Sequence, residues 1–115
     1  MDLVTIDSAA EDQLIVNYLY NYYVTNGIPK SSDAFFWIGL NDLAVDRSFN
    51  WVATGQPLGG YTNWSPGQPA GTGEHCGEYM YRDAPRPAWN DRSCTDWTGP
   101  FICEVNAPCK CYAGV

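Results

Sequence analysis

Basic residues, histidine and long apolar runs are scarce in this sequence of 115 residues. Lysine and arginine number 6 against 13 acidic residues, so the formal net charge is −7. Nucleic-acid binding needs clustered positive charge against phosphates, and the sequence therefore argues against a nucleic-acid partner. Apolar runs stay far below the ~20 residues of a membrane span, so we expect no membrane insertion. With a single histidine, the sequence nominates no Ser-His-Asp arrangement, and we expect no enzymatic activity.

The hydrophobic and aromatic content predicts a folded domain. Hydrophobic residues make up 45% of the sequence and aromatic residues 15%, which is too apolar for a disordered chain. The length supplies one hydrophobic core rather than two. We therefore expect a single domain over residues 1–105, followed by a tail or a linker to a further segment over residues 106–115.

The cysteine content indicates an oxidising compartment. Five cysteines occur in this short chain, and cytosolic proteins rarely keep structural disulfides. We therefore expect a secreted or extracellular protein. The first residues have neither the basic region nor the apolar region of an export signal, and an odd cysteine number leaves one thiol without a partner within the chain. The expectation is a fragment of a longer precursor whose export signal lies outside this chain.

Hydrophobic periodicity predicts one amphipathic helix near the start of the chain. Ser8 and Glu11 form a capping box, so the helix should begin at Ser8 and fade by residues 26–27, an Asn-Gly pair. Five residues are expected to form its apolar, core-facing stripe: Leu14, Ile15, Tyr18, Leu19 and Tyr22. Three residues are expected to face away from the core: Asp12, Gln13 and Asn17.

Short strands are predicted along the rest of the chain. The continuous apolar run from Phe35 to Leu40 is typical of a central strand that is buried on both faces, and Gly39 within it indicates a close backbone approach. Further strands are expected over residues 3–6, 49–52, 76–81, 88–90 and 101–105. The Gly- and Pro-rich stretch between residues 55 and 69 predicts a long loop, and such loops are usually functional.

Oxygen-bearing side chains are concentrated between residues 68 and 94. Four of them offer amide or carboxylate oxygens without a competing soft ligand: Gln68, Glu74, Asn90 and Asp91. Calcium takes ~6–8 such oxygens in flexible geometry, so this span predicts a calcium site. The simpler alternative is a polar loop solvated by water. A glycosidase would need two apposed carboxylates in a deep cleft, which nothing else in the sequence supports.

These motifs occur in the order that the C-type lectin-like domain family shows, and the chain resembles this family over residues 3–104. The matching motifs are Leu3-Val4-Thr5-Ile6 with Ser8 and Glu11, Trp37-Ile38-Gly39-Leu40, Trp51, Asn63-Trp64, Gln68-Pro69, Glu74 two residues before Cys76, Trp89-Asn90-Asp91, Cys94 and Phe101-Ile102-Cys103-Glu104. The resemblance implies an α+β fold with two small antiparallel sheets, a flanking helix and a long calcium-site loop. The first strand and first helix of the family are missing here.

The resemblance also implies a site in which calcium and carbohydrate bind together. In the family the ion coordinates two vicinal hydroxyls of a sugar, so a glycan or glycoprotein is the implied partner. The residues implied both as calcium ligands and as carbohydrate-binding residues are Gln68, Glu74, Asn90 and Asp91. It further implies a cis peptide bond at Pro69 and a disulfide between Cys76 and Cys94.

Two departures from the family pattern weaken this expectation. Ala70 stands where sugar-binding members carry Asn or Asp, which leaves about five protein oxygens, counting the Asp91 main chain. We therefore expect weakened calcium binding, and the alternative function is a calcium-independent protein-interaction module of the same fold. Gly71 and His75 stand where the family's auxiliary calcium site often has acids, so we expect no second ion.

The missing first helix also affects the last predicted strand. In the family that helix carries the cysteine that bonds the residue matched here by Cys103. Three outcomes are open for Cys103: it stays unpaired, it bonds Cys109 or Cys111, or one of these three cysteines bonds another protein chain. Without the family's first strand, the strand over residues 101–105 is expected to be an exposed edge.

Overall fold

The computed structural model describes residues 2–82, 84–104 and 110–113, and these form one helix and seven strands. The elements in chain order are β1 (Asp2–Leu3), α1 (Ala9–Thr25), β2 (Phe35–Asn41), β3 (Asn50–Trp51), β4 (Cys76–Met80), β5 (Ala88–Arg92), β6 (Phe101–Glu104) and β7 (Lys110–Ala113). Each predicted element therefore has a counterpart, and the α+β class is confirmed. Helix α1, the one helix of the described residues, is not long and apolar enough to cross a membrane.

The strands join into one seven-stranded sheet in the order β1-β6-β2-β4-β5, with β3 added to β2 and β7 added to β6. Most neighbours are antiparallel, but β2 and β6 run parallel where Trp37 lies opposite Phe101. This parallel contact links the two small antiparallel sheets that the family resemblance implies, so the strands form a single mixed sheet.

Strand β6 is not an exposed edge, and that prediction is wrong. On one side Leu3 of β1 lies opposite Cys103, and β7 pairs antiparallel with β6 and places Cys111 opposite Cys103. The physical reason is that residues 110–113 return to the sheet and hydrogen-bond the main chain of β6. The remaining residues of the expected tail, 106–109 and 114–115, lie outside the described residues, and Cys109 lies among them. The pairing of the last three cysteines stays a prediction.

Helix α1 begins and ends as its local sequence predicts. The Ser8 hydroxyl oxygen accepts a hydrogen bond from the Glu11 N–H at 3.2 Å, and the Glu11 carboxylate accepts one from the Asp7 N–H at 3.3 Å. These bonds satisfy one amide in the first turn, which lacks a partner within the helix, and one amide just before the helix. Asn26 caps the other end, and Gly27 has a φ of 63°, a left-handed conformation that favours glycine.

The buried face of α1 differs from the predicted one. Leu14 is 70% exposed and Tyr18 is 41% exposed, whereas Asp12, which was expected to face solvent, is buried. The residues that α1 buries are Asp12, Ile15, Val16, Leu19 and Tyr23. The physical reason is that donors from distant elements bond the Asp12 carboxylate, which rotates the packed face toward that residue.

The core between helix and sheet supports strand β5. Trp89 of β5 is fully buried, and its ring meets the ring of Trp51 edge-on, with centroids 5.7 Å apart. Strand β2 closely approaches the residue that follows β1, since the Gly39 N–H donates to the Val4 carbonyl oxygen at 3.1 Å. A Cβ at that glycine would lie 2.9 Å from the same oxygen, so the predicted close approach is confirmed. This packing holds β5 in place, and β5 carries Asn90 and Asp91.

Candidate functional site

A buried carboxylate on α1 anchors the segments that form the site. Asp12 accepts hydrogen bonds from the Tyr61 hydroxyl at 2.6 Å, the Asn63 amide at 2.9 Å and the Trp89 indole N–H at 3.2 Å. The Tyr79 hydroxyl is a fourth donor. A buried charge is tolerated only when it is paired or fully hydrogen-bonded, and these donors meet that condition. Burial, and then the Asp12 charge, raises the pKa of Tyr79 well above its ordinary value, so this phenol keeps its proton and donates.

The long loop lies along the outer edge of β5. The Trp89 N–H donates to the Asn63 carbonyl oxygen at 2.7 Å, and the Ser65 N–H donates to the Trp89 carbonyl oxygen at 2.7 Å. The peptide bond between Gln68 and Pro69 is cis, which confirms that expectation. The loop therefore carries Gln68 to the end of β5, beside Asp91.

Gln68 and Asp91 converge on one main-chain amide. The Ala70 N–H lies 3.0 Å from the Gln68 Oε1 and 3.1 Å from the Asp91 Oδ1. The second oxygen of Asp91 accepts from the Gly71 N–H at 3.0 Å, and the Asp91 side chain is 1% exposed. The structure thus brings these two predicted ligands together.

Glu74 lies close to the same point. A Cβ added at Gly71 would collide with the Asp91 Oδ2 and would lie 2.7 Å from the Glu74 carbonyl oxygen, so only glycine fits between them. Burial and then the Asp91 charge raise the pKa of the Glu74 carboxyl, while Arg92 lowers it. The two carboxylates are therefore close enough to repel each other, and a bound cation would relieve that repulsion.

Asn90, the neighbour of Asp91 in β5, hydrogen-bonds Glu78, a residue that the sequence analysis did not nominate. The two residues lie directly opposite each other in β5 and β4, and the Asn90 Nδ2 donates to the Glu78 Oε1 at 2.8 Å. The Arg92 Nε donates to the other oxygen of Glu78 at 2.6 Å. Burial raises the pKa of Glu78, and the hydrogen bonds from Arg92 and Asn90 lower it. The sequence did contain a signal that could have identified Glu78, because it is the one charged residue in the strand of residues 76–80.

The Cys76–Cys94 disulfide is present, as the resemblance implies. It connects the first residue of β4 with the segment just after β5, across a sequence separation of 18. Glu74 precedes one end of this link and Asp91 precedes the other. The disulfide therefore limits how far the two carboxylates can separate.

A second group of possible metal ligands lies beside the first. The His75 Nδ1 is 2.8 Å from the Asp42 Oδ1 and 3.8 Å from the Asp46 Oδ1, and the three ligand atoms all lie within 4.8 Å of one another. The Arg47 N–H donates to the other oxygen of Asp42 at 2.7 Å, and the Arg47 guanidinium donates to the Pro69 carbonyl oxygen at 2.8 Å. Aspartate and histidine are residue types that hold metals, so this group could bind an ion. The expectation of no second ion therefore stays a prediction.

Comparison with known proteins agrees with this geometry. The family model for the lectin C-type domain matches residues 2–105. The chain belongs to the C-type lectin domain family. This C-type lectin domain is 37% identical over 105 residues to perlucin of Haliotis laevigata, an alignment that covers 89% of this chain and 59% of perlucin.

Solved structures of other C-type lectins have the same fold. The C-type lectin CEL-I of Cucumaria echinata is 37% identical, with a TM-score of 0.56 over 80% of this chain and 59% of that chain. The C-type lectin domain of murine dendritic cell inhibitory receptor 2, solved in complex with an N-glycan, is 30% identical, with a TM-score of 0.60 over 82% of this chain and 63% of that chain. This C-type lectin domain thus spans about three fifths of the length of these relatives.

Proposed function

We propose that this C-type lectin domain binds carbohydrate through a single calcium ion held by four residues: Gln68, Glu74, Asn90 and Asp91. The observation that supports this most is the convergence of the Gln68 and Asp91 side-chain oxygens on the Ala70 N–H, at 3.0 and 3.1 Å. Glu74 belongs to the same group because the Asp91 Oδ2 and the Glu74 carbonyl oxygen both lie against Gly71.

The chemistry of these donors fits calcium. All four side chains supply oxygen, and two of them carry negative charge that a divalent cation balances. A carboxylate has about four lone-pair sites, so the two N–H bonds that Asp91 accepts leave room for a metal bond on each oxygen. Water and the hydroxyls of a bound sugar would raise the coordination toward the ~6–8 oxygens that calcium takes.

A glycan is the proposed ligand, and the family relationship supports it. The murine receptor domain with the same fold was solved with an N-glycan. In our proposal two neighbouring sugar hydroxyls bind the ion, and the charged Glu74 accepts a hydrogen bond from one of them. A glycoprotein would present the same hydroxyls.

One observation favours the alternative of a calcium-independent protein-interaction module. Residue 70 is alanine, so this position contributes no side-chain oxygen, and its N–H already bonds the oxygens of Gln68 and Asp91. The loop therefore has internal partners for these oxygens without an ion. In this alternative the same fold binds a protein surface, with or without a disulfide to that protein.

We also propose a secreted or extracellular location. The Cys76–Cys94 disulfide supports it, because structural disulfides persist in oxidising compartments. A glycan-binding role is consistent with this location, since calcium is abundant outside cells and sites of the weaker, millimolar class are used there.

Thermal melting of the disulfide-intact domain, in calcium and then in excess chelator, tests the proposal. Calcium at ~100 times its dissociation constant should stabilise the fold by about 2.7 kcal/mol, which raises the melting temperature by several degrees for a domain of this size. Glu74→Gln keeps the side-chain volume and removes a ligand charge, so the shift should shrink. The matched control is Asp46→Asn in the neighbouring group, which should keep the shift.

The outcomes separate the candidate functions. If calcium at millimolar concentration leaves the melting temperature unchanged, the calcium proposal fails and the protein-interaction module is favoured. If Asp46→Asn removes the shift while Glu74→Gln keeps it, the ion occupies the group around His75 and the ligand assignment is wrong. When the shift follows Glu74, retention on immobilised galactose or mannose and elution by chelator will test the glycan and its class.

A further inference from the structure

Glu78 determines how the side-chain amide of Asn90 is oriented. The amide nitrogen hydrogen-bonds Glu78, so the amide oxygen must face away from it. Glu78 is directly across the sheet from Asn90, is 0% exposed, and accepts a hydrogen bond from the Asn90 Nδ2 at 2.8 Å. An asparagine amide has one oxygen that accepts and one nitrogen that donates, whereas an ionised carboxylate only accepts. A reversed amide would place its oxygen against the carboxylate. The Asn90 nitrogen therefore faces Glu78, and its oxygen is directed away from Glu78.

Glu78 is itself held in place by Arg92. The Arg92 Nε donates to the Glu78 Oε2 at 2.6 Å, and both side chains are buried. The guanidinium lies 4.4 Å from the ring centroid of Phe35 and 4.4 Å from that of Trp97, so two aromatic rings restrict its position. Alternate residues of a strand share a face, which is why Asn90 and Arg92 both reach Glu78 from β5.

We propose that Glu78, held by Arg92, is a positioning residue that directs the carbonyl oxygen of Asn90 toward the calcium ion and the sugar. This inference rests on the proposed function, because it concerns the same site. Glu78 does not bind the ion in this arrangement. It selects the orientation in which Asn90 is a metal ligand, since the opposite orientation presents an N–H₂ group to a cation.

The substitution Glu78→Gln tests the orientation without changing the side-chain volume. The buried Arg92 donor requires an acceptor, so the new amide oxygen should face Arg92 and the new amide nitrogen should face Asn90. Asn90 then has to turn its oxygen toward position 78. The number of hydrogen bonds is kept, yet the calcium affinity should fall by about 10- to 100-fold, as for other residues that orient metal ligands.

A second substitution should restore binding. In the double variant Glu78→Gln and Asn90→Asp, both oxygens of the new carboxylate are acceptors, so one can bond position 78 while the other faces the ion. The calcium affinity should return to within about threefold of that of the unmodified domain, which corresponds to less than 1 kcal/mol. Asn90→Asp alone should lower the affinity, because its carboxylate faces that of Glu78. It also tests the inference without altering Glu78, should Glu78→Gln fail to fold.

Two measurements decide the inference. The first is calorimetric calcium titration of the unmodified domain, the two single variants and the double variant. The second is NMR measurement of the exchange of the Asn90 side-chain amide protons in isotope-labelled, calcium-free protein. Slowly exchanging protons in the unmodified domain, loss of affinity in both single variants and recovery in the double variant support the inference. It is overturned if either single variant keeps its affinity or if the double variant gains none. If the unmodified domain binds no calcium, the proposed function fails, and protected Asn90 protons that change in Glu78→Gln still support the orienting contact. Unprotected protons then overturn it.

Discussion

The carboxylate of Asp12 accepts a hydrogen bond from the indole N–H of Trp89 at 3.2 Å, across 77 positions of sequence. Asp12 lies in the first turn of α1, and Trp89 directly precedes Asn90 and Asp91 in β5. The same carboxylate bonds the loop that leads to Gln68, through donors such as Asn63. The start of the helix therefore positions both segments that supply the proposed ligands.

Replacing Asp12 by Asn should destabilise the fold strongly. An amide has one accepting atom where the carboxylate has two, so at least one donor, such as the buried Trp89 indole N–H, loses its acceptor. Because hydrogen bonds to charged groups contribute more than neutral ones, the free energy of unfolding should fall by about 3 kcal/mol. Urea denaturation measures the change.

Asp7→Asn is the matched control for that substitution. Asp7 is exposed just before the same helix, and a surface change of this kind should alter the free energy of unfolding by less than about 0.5 kcal/mol. Equal effects of Asp7→Asn and Asp12→Asn would show that the Asp12 contacts contribute little.

Replacing Gly71 by Ala should damage the proposed calcium site directly. The new methyl group has no space between the Asp91 Oδ2 and the main chain of Glu74, so the two ligand segments must separate. Overpacking of this kind costs about 1–3 kcal/mol of stability, and calcium affinity should fall as well. Gly60→Ala is the control, because nothing lies within 4 Å of a Cβ at that position. Denaturation and calcium titration of both variants test this, and unchanged affinity in Gly71→Ala would contradict the proposed ligand set.

Replacing Ala70 by Asn should strengthen calcium binding. The substitution adds one side-chain oxygen beside Gln68 and Asp91, at an exposed position of the loop. A gain of about 1.4 kcal/mol corresponds to a tenfold lower dissociation constant, and calorimetric titration resolves such a change. Ala70→Leu is the control, because the leucine side chain has nearly the same shape as that of asparagine but no ligand oxygen. It should not tighten calcium binding. Equal effects of both substitutions would indicate that loop packing, not coordination, governs the affinity.

The stability of the calcium-free domain should depend on pH through Glu74. Its pKa is raised above the ordinary value of 4.5 by burial and by the Asp91 charge. The folded protein therefore binds the Glu74 proton more tightly than the unfolded chain does, and the free energy of unfolding decreases as the pH rises from the ordinary pKa through the raised one. Glu74→Gln has no such proton, so the stability of the original protein relative to this variant should decline over that window.

Denaturation in chelator, at intervals from about pH 4 to about pH 8, measures this difference. Glu78 also has a raised pKa, and the Glu74 charge is the smallest of its causes, so most of the Glu78 contribution is common to both proteins. A difference that stays constant with pH would mean that the pKa of Glu74 is not raised in the folded, calcium-free protein.

Much of the local structure followed from neighbouring residues. The capping box of Ser8 and Glu11 and the left-handed Gly27 set the ends of α1, because these contacts join residues only a few positions apart. The apolar run that begins at Phe35 became the buried strand β2 for a similar reason, since its composition suits a strand covered on both faces. The disulfide and the cis bond before Pro69 came instead from the family resemblance.

The sequence by itself determined the helix ends, the central strand and the set of oxygen-bearing residues, while the tertiary structure decided how these are held. The burial of Asp12 and the bond from Asn90 to Glu78 depend on partners that only the folded sheet and loop bring close. Polar periodicity placed Asp12 toward solvent because a carboxylate normally prefers water. In the fold its charge is stabilised by donors from distant segments, and such long-range contacts leave no periodic signal in the chain.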